Sequence, residues 1–127
     1  MQRIHPGLLA LSVTAFAIGM AEFIVVGILP EIATALTIDL SRAGNLVGLY
    51  ALVLAVGTPL LVMAIAGFPP KRVLTALIIM FLAGSLLSAL ADSYPLFLTG
   101  RLITAVAHGS FFAIGATVAA RIAPAGR

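Results

Sequence analysis

A stretch of twenty-two residues, Leu8–Leu29, limits what this chain can fold into, because its only charged residue is Glu22. A bilayer core of roughly 30 Å takes about 20 helical residues, so the stretch is long enough to span it. A carboxylate at membrane depth is costly unless it faces a protein interior, a partner or water. The rest of the chain must therefore shelter Glu22, and a functional interpretation starts from what Glu22 faces.

The composition favours a membrane protein over a soluble one. Hydrophobic residues make up 62% of the chain, and charged residues only 9%, against about 25% in ordinary soluble domains. The net charge is +3, but the basic residues stand mostly singly at segment ends and form no patch for nucleic acid. The absence of cysteine excludes disulfides, thiol catalysis and cysteine-based metal sites.

Apolar runs and helix-breaking residues divide residues 1–127 into segments. Pro30 ends the first run, and a polar connection follows in which Ser41 could cap the next helix. Pro59 lies inside the second run and should kink its helix, while Lys71 and Arg72 form a basic turn after it. The sequence thus predicts an all-α membrane protein with four transmembrane helices, at about 8–29, 43–68, 73–91 and 95–122.

The basic residues near the segment ends predict the orientation. Only Arg42 falls on one side of a four-span layout. Five basic residues fall on the other side: Arg3, Lys71, Arg72, Arg121 and Arg127. Because positive charge favours the cytoplasm, both termini of this chain are expected to be cytoplasmic.

The first span has one small and polar helical face about 80° wide. It consists of Ser12, Ala15, Gly19, Glu22 and Val26. Two interpretations remain open. The face could serve close helix packing, with Glu22 simply neutralised or hydrogen-bonded, or it could be a cavity wall that carries a titratable acid.

The fourth span has a comparable face, about 100° wide. It carries Arg101, Thr104, Ala105, His108, Phe112 and Gly115. Thr104, His108 and Phe112 of this face, like Ser12 and Gly19 of the first span, are candidates to line a cavity. Arg101 and Glu22 each lie roughly 9–10 Å from the same membrane edge. Pairing them would lower the burial cost of both, whether the pair only fixes packing or takes part in function.

Other polar residues in the spans have two possible roles. His108 could hydrogen-bond a neighbouring helix, or it could relay protons or contact substrate. Asn45 and Tyr50 could line a cavity or serve polar packing. No metal site is expected, since His5 is terminal and no carboxylate is spaced to join His108.

Small residues spaced four apart predict close helix approach. Gly44 and Gly48 are such a pair at the start of the second span, and Gly84 and Ser88 are another in the third.

Three stretches carry a family resemblance: AEFIVVGILPEIA at 21–33, GRLIT at 100–104 and HGSFF at 108–112. They resemble the major facilitator superfamily, and most closely its bacterial drug and sugar efflux branch of the arabinose-efflux-permease type. In the loop after the second span, Lys71 and Arg72 match the basic part of the family signature, whereas its acidic position is missing.

This resemblance implies a twelve-helix transporter in the bacterial inner membrane, of which the chain is an N-terminal fragment. It would be the first four helices of a six-helix half. The implied activity is proton-coupled efflux of a small organic compound, with Glu22 and Arg101 in proton coupling and His108 lining the cavity. A proton gradient would take the place of a cofactor. The implied partners are a small-molecule substrate, the lipid bilayer and the remaining helices, with no nucleic acid.

Three other classes compete with this interpretation. A complete four-helix exporter acting as a homodimer, like the small multidrug resistance proteins, would also place a glutamate in its first span. It gives no role to Arg101 in the fourth. A membrane scaffold explains the small-residue spacing but not two buried charges at matched depth. An enzyme is disfavoured, because no nucleophile–base set is present.

Overall fold

The structure, a computed structural model, describes residues 3–123, and these residues form five α-helices. Four of the helices are long and apolar enough to cross a bilayer. In chain order the helices are α1 (Pro6–Gly27), α2 (Leu29–Leu36), α3 (Leu40–Ile65), α4 (Pro70–Leu90) and α5 (Tyr94–Ile122). The prediction of an all-α membrane protein with four transmembrane helices is confirmed.

Prolines and one carboxylate determine where the long helices begin. α1, α4 and α5 each carry a proline in the first two positions, where the missing backbone N–H has no helical partner to lose. α3 starts behind Asp39, whose Oδ1 accepts a hydrogen bond from the backbone N–H of Arg42 at 2.8 Å. The expectation that Ser41 caps this helix is therefore wrong. The long helices begin one to three residues before the predicted spans, because caps rather than hydropathy set their first turns.

The connection after the first span is itself a helix. α1 ends at Gly27, and the N–H of Ile28 bonds back to the carbonyl oxygens of Ile24 and Val25 at 3.0 and 3.3 Å. Pro30 therefore stands in the first turn of α2 instead of ending the span. α2 packs on α3 and ends at Thr37, which adopts a left-handed conformation with φ 56°.

α5 lies at the centre of the bundle, in contact with α4, α3 and α1. Its buried positions are mostly small, which lets neighbouring helix backbones come close. They are Gly100, Arg101, Thr104, Ala105, Ala107, Gly109, Ser110, Phe111 and Gly115. The backbone of α4 comes especially close: a Cβ on Gly100 would lie 2.7 Å from the carbonyl oxygen of Gly84 and 2.8 Å from the backbone nitrogen of Ser88.

The two predicted small-residue pairs differ in what they contact. Gly84 and Ser88 form the close approach to α5, as their spacing predicts. Gly44 and Gly48 meet no other group: a Cβ on either would find no atom within 4 Å among the described residues. Their spacing therefore serves no helix contact within residues 3–123.

We expect Gly100→Ala to destabilise the α4–α5 contact by about 1–3 kcal/mol, because the new methyl group meets backbone atoms that cannot move aside independently. The measurement is the melting temperature of the purified chain in detergent. Gly44→Ala is the matched control, since its methyl group would point into open space. Equal melting temperatures for the two variants would contradict the close packing of α4 on α5.

α1 is the least enclosed of the long helices. Within the described residues its one buried side chain is that of Ile18, which packs with Val73, Leu77 and Phe111 in the main apolar cluster. Its outer face carries large apolar side chains such as Phe16 and Phe23, which suit contact with lipid or with other helices. The attachment of α1 to the bundle therefore depends on few contacts.

Candidate functional site

Glu22 and Arg101 form an ion pair between α1 and α5. Arg101 Nη2 donates to Glu22 Oε2 at 2.7 Å. The Arg101 side chain is 6% exposed and that of Glu22 is 21% exposed. The pairing expected from their matched depth is therefore present. Glu22 is therefore the more accessible partner of the pair, and Arg101 is the more enclosed one.

Tyr50 of α3 holds the other side of Arg101. The guanidinium carbon lies 4.5 Å from the centroid of the Tyr50 ring, within cation–π distance. Tyr50 is 4% exposed, so this contact is largely shielded from solvent. The Arg101 guanidinium on α5 therefore contacts α1 through Glu22 and α3 through Tyr50, and so links three helices.

His108, which also lies on α5, joins this group through its contact with Tyr50. Tyr50 Oη lies 2.8 Å from His108 Nδ1, which is hydrogen-bond distance. The His108 ring centroid lies 5.1 Å from that of Phe112, one turn further on. Glu22, Arg101, Tyr50, His108 and Phe112 thus form one connected group, which we call the polar cluster.

The other residues predicted to line a cavity occupy varied positions. Thr104 does not face open space: it is fully buried, and its Oγ1 donates to the carbonyl oxygen of Arg101 at 2.7 Å. Ser12 donates to the carbonyl oxygen of Leu8 at 2.8 Å, and it lines a cavity of about 220 Å³ between α1 and α5 together with Phe112. Gly19 has open space where a side chain would stand, and Asn45 is exposed on α3.

A cavity larger than the one that Ser12 lines lies away from the polar cluster. It has a volume of about 570 Å³ and is lined by the first turns of α1 and α4 and the end of α5, with Lys71 and His5 at its rim. None of the polar cluster lines it, so volume alone does not mark the functional site. Lys71 and Arg72 are both exposed in the first turn of α4.

One cation–π contact is not predicted by the sequence. The guanidinium carbon of Arg42, at the start of α3, lies 4.3 Å from the ring centroid of Tyr94, the first residue of α5. The two positions are far apart in the chain, and nothing in their local sequence pattern signals the contact. Within the described range no group of three His, Cys, Asp or Glu residues is placed to hold a metal ion.

Four membrane-crossing helices with a charge pair buried between the first and the last define a polytopic membrane protein built around embedded polar groups. Comparison with protein families makes this assignment specific. Residues 11–127 match the model of the Major Facilitator Superfamily. The chain belongs to this superfamily, as its motifs indicate.

Curated relatives cover nearly the whole chain. An uncharacterized transporter of the same superfamily from Bacillus subtilis is 45% identical over 94% of the chain, which is 30% of that relative. An inner membrane transport protein of Escherichia coli is 37% identical over 96% of the chain and 31% of its own length. A chloramphenicol efflux pump of Mycobacterium tuberculosis is 38% identical over 96% of the chain and 30% of its own length.

The chain therefore spans about 30% of the length of the curated relatives that it matches. No solved structure matches it.

Proposed function

We propose that this chain is the N-terminal part of a longer transporter that exports a small organic compound in exchange for protons. The observation that carries the proposal is the Glu22–Arg101 ion pair at 2.7 Å, buried between two membrane-crossing helices. Buried charges inside a membrane are expensive, and they commonly mark ion or substrate pathways. The chloramphenicol efflux pump among the relatives supports export of a drug-like compound.

In this proposal Glu22 is the group that accepts the coupling proton. Protonation would remove the negative charge and weaken the hold of Arg101 on α1. α1 buries little else against the bundle, whereas α5 is tightly packed on α4. Losing the ion pair would therefore release α1 more readily than it would disturb α5, and would shift the balance between inward-open and outward-open states.

Proton-driven export tests this function. Proteoliposomes containing the longer transporter should lower their content of a candidate compound such as chloramphenicol when a proton gradient is imposed in the matching direction, and collapse of the gradient should stop the transport. The 127-residue chain alone should transport nothing, because the substrate site of this family lies between two halves. Export by the short chain alone would favour the four-helix homodimer.

The transporter is proposed to lie in the bacterial inner membrane with both ends of this chain in the cytoplasm. His5, Lys71 and Ile122 line one cavity, so the start of α1, the start of α4 and the end of α5 lie at one end of the bundle. Four of the basic residues near the helix ends lie at that end of the bundle, namely Arg3, Lys71, Arg72 and Arg121, while Arg127 lies outside the described residues.

Reporter fusions should give a cytoplasmic signal after Pro70 and a periplasmic signal after Asp92. These positions flank α4, so the two reporters must fall on opposite sides of the membrane. The reverse pattern would overturn the orientation, and equal signals would show that α4 does not cross.

A further inference from the structure

The Arg101 guanidinium contacts two groups of different chemistry. Glu22 Oε2 accepts its hydrogen bond at 2.7 Å, and the centroid of the Tyr50 ring lies 4.5 Å from the guanidinium carbon. A carboxylate loses its charge when it takes up a proton, whereas the negative face of an aromatic ring comes from its π electrons and remains. Only the contact with Tyr50 is therefore independent of protonation.

The ring of Tyr50 and its hydroxyl have separate contacts. The hydroxyl lies 2.8 Å from His108 Nδ1 and within hydrogen-bonding reach of the Glu22 and Thr104 side chains, so it has several possible partners. The contact of the ring face with the guanidinium does not depend on which of them the hydroxyl bonds. Because Tyr50 is 4% exposed and the Arg101 side chain 6% exposed, water competes weakly with this contact.

No second carboxylate of this chain lies near Arg101. The chain has four acidic residues, and Glu22 is the one that pairs with Arg101. The other three are exposed and lie outside the four long helices: Glu31, Asp39 and Asp92. His108, the other titratable group joined to Tyr50, is neutral or positive and supplies no negative charge. When Glu22 is neutral, the ring of Tyr50 is thus the group of this chain left to stabilise the cation.

The helix that carries Tyr50 is held to α5 independently of the ion pair. A Cβ on Gly57 of α3 would lie 3.1 Å from Val106 Cγ2, and a Cβ on Gly109 of α5 would lie 3.2 Å from Leu54 Cγ, so the two helices pack closely. Within the described residues, α1 buries only Ile18. Loss of the carboxylate charge therefore leaves α3, and not α1, fixed beside Arg101.

We propose that the ring of Tyr50 holds the Arg101 cation when Glu22 is neutral, so that protonation of Glu22 frees α1 while α3 and α5 stay joined through Arg101. Tyr50 is a positioning residue in this arrangement, because it acts through Arg101 and needs no contact with substrate. The inference rests on the proposed function in taking Glu22 as the group that accepts the coupling proton.

The stability of ring variants with and without the Glu22 charge tests this proposal. Glu22→Gln imitates the protonated state, because the amide is neutral and has nearly the shape of the carboxyl group. Tyr50→Phe and Tyr50→Leu both lack the hydroxyl, so they differ in the ring. We expect the leucine variant to fold less well than the phenylalanine variant, and the ratio of their folding constants to be about tenfold larger in the Glu22→Gln background. The volume lost with the ring is common to both backgrounds and cancels.

A shape-preserving pair guards against a leucine variant that does not fold. Phenylalanine and trifluorophenylalanine at position 50 have nearly the same shape, but fluorine withdraws electrons from the ring face that the cation contacts. In the Glu22→Gln background the fluorinated chain should be less stable in detergent. The same pair at position 94 is the control, because the Tyr94 ring lies 4.3 Å from Arg42, an exposed cation that has no contact with Glu22. There the cost of fluorination should not depend on Glu22.

Two results in the 127-residue chain would overturn the proposal: a cost of ring loss that is the same with and without the Glu22 carboxylate, or equal stability of the phenylalanine and fluorinated chains beside Glu22→Gln. In the longer transporter, proton-driven export should be lower with the fluorinated residue than with phenylalanine at position 50, and equal export would also count against the proposal. The stability measurements need no gradient. Absence of export from the unaltered transporter would therefore contradict the proposed function and leave the role of the ring to be judged by stability.

Discussion

Replacing Glu22 by glutamine should abolish proton-driven export in the longer transporter while leaving substrate binding largely intact. The amide keeps the shape of the carboxylate and can still accept a hydrogen bond from Arg101 Nη2, but it cannot take up or release a proton. The measurement is export from proteoliposomes across a range of imposed proton gradients, with substrate binding measured on the same preparation. Export should no longer depend on the gradient, whereas affinity should change little.

Glu31→Gln is the matched control for this experiment. Glu31 is an exposed carboxylate in the first turn of α2, and the substitution changes charge and shape in the same way. It should leave both export and its dependence on the gradient unaltered. If the Glu22 variant exports with the gradient dependence of the unaltered protein, Glu22 is not the coupling acid, and the ion pair is structural only.

Arg101→Ala should be the most destabilising single substitution in the polar cluster. It leaves the Glu22 carboxylate without its partner inside the bundle and removes the cation from the ring of Tyr50. Breaking a buried ion pair on one side costs about 3–5 kcal/mol. We expect a much lower yield of folded protein and a lower melting temperature in detergent, together with loss of export.

Combining Glu22→Gln with Arg101→Ala should restore part of the lost yield and melting temperature, because no unpaired charge then remains. Export should stay absent in the double variant. Arg42→Ala is the control, since Arg42 also lies against an aromatic ring but on the exposed end of the bundle. A double variant less stable than Arg101→Ala alone would contradict the account of the pair as mutual charge compensation.

Much of the fold follows from the sequence because bilayer thickness and helix geometry are strong constraints. Long apolar runs predict the four membrane-crossing helices, and the matched depth of Glu22 and Arg101 predicts their pairing. Both arguments need only the rise per residue and the cost of a buried charge. They do not require knowledge of how the helices are rotated against one another.

Features that depend on helix rotation or on local capping could not be predicted in the same way. Thr104 was a candidate to line a cavity because it shares a helical face with Arg101, but it is fully buried. Helical periodicity groups residues on one face and does not say which of them are buried. The contact of Tyr50 with His108 joins residues 58 positions apart and depends on how α3 and α5 meet. At the start of α3, two candidate capping residues lie close together, and only backbone geometry selects Asp39 over Ser41.

The separation of Glu22 from Arg101 along the chain has a consequence for biosynthesis. The two residues are 79 positions apart, so α1 enters the membrane before the ribosome has made the cation that pairs with its acid. At about 5–20 residues per second, that interval lasts about 4–16 seconds. During this time the nascent helix carries a carboxylate without its cationic partner, which makes its place in the bilayer costly. Synthesis of α5 then supplies the missing charge and commits α1 to the bundle.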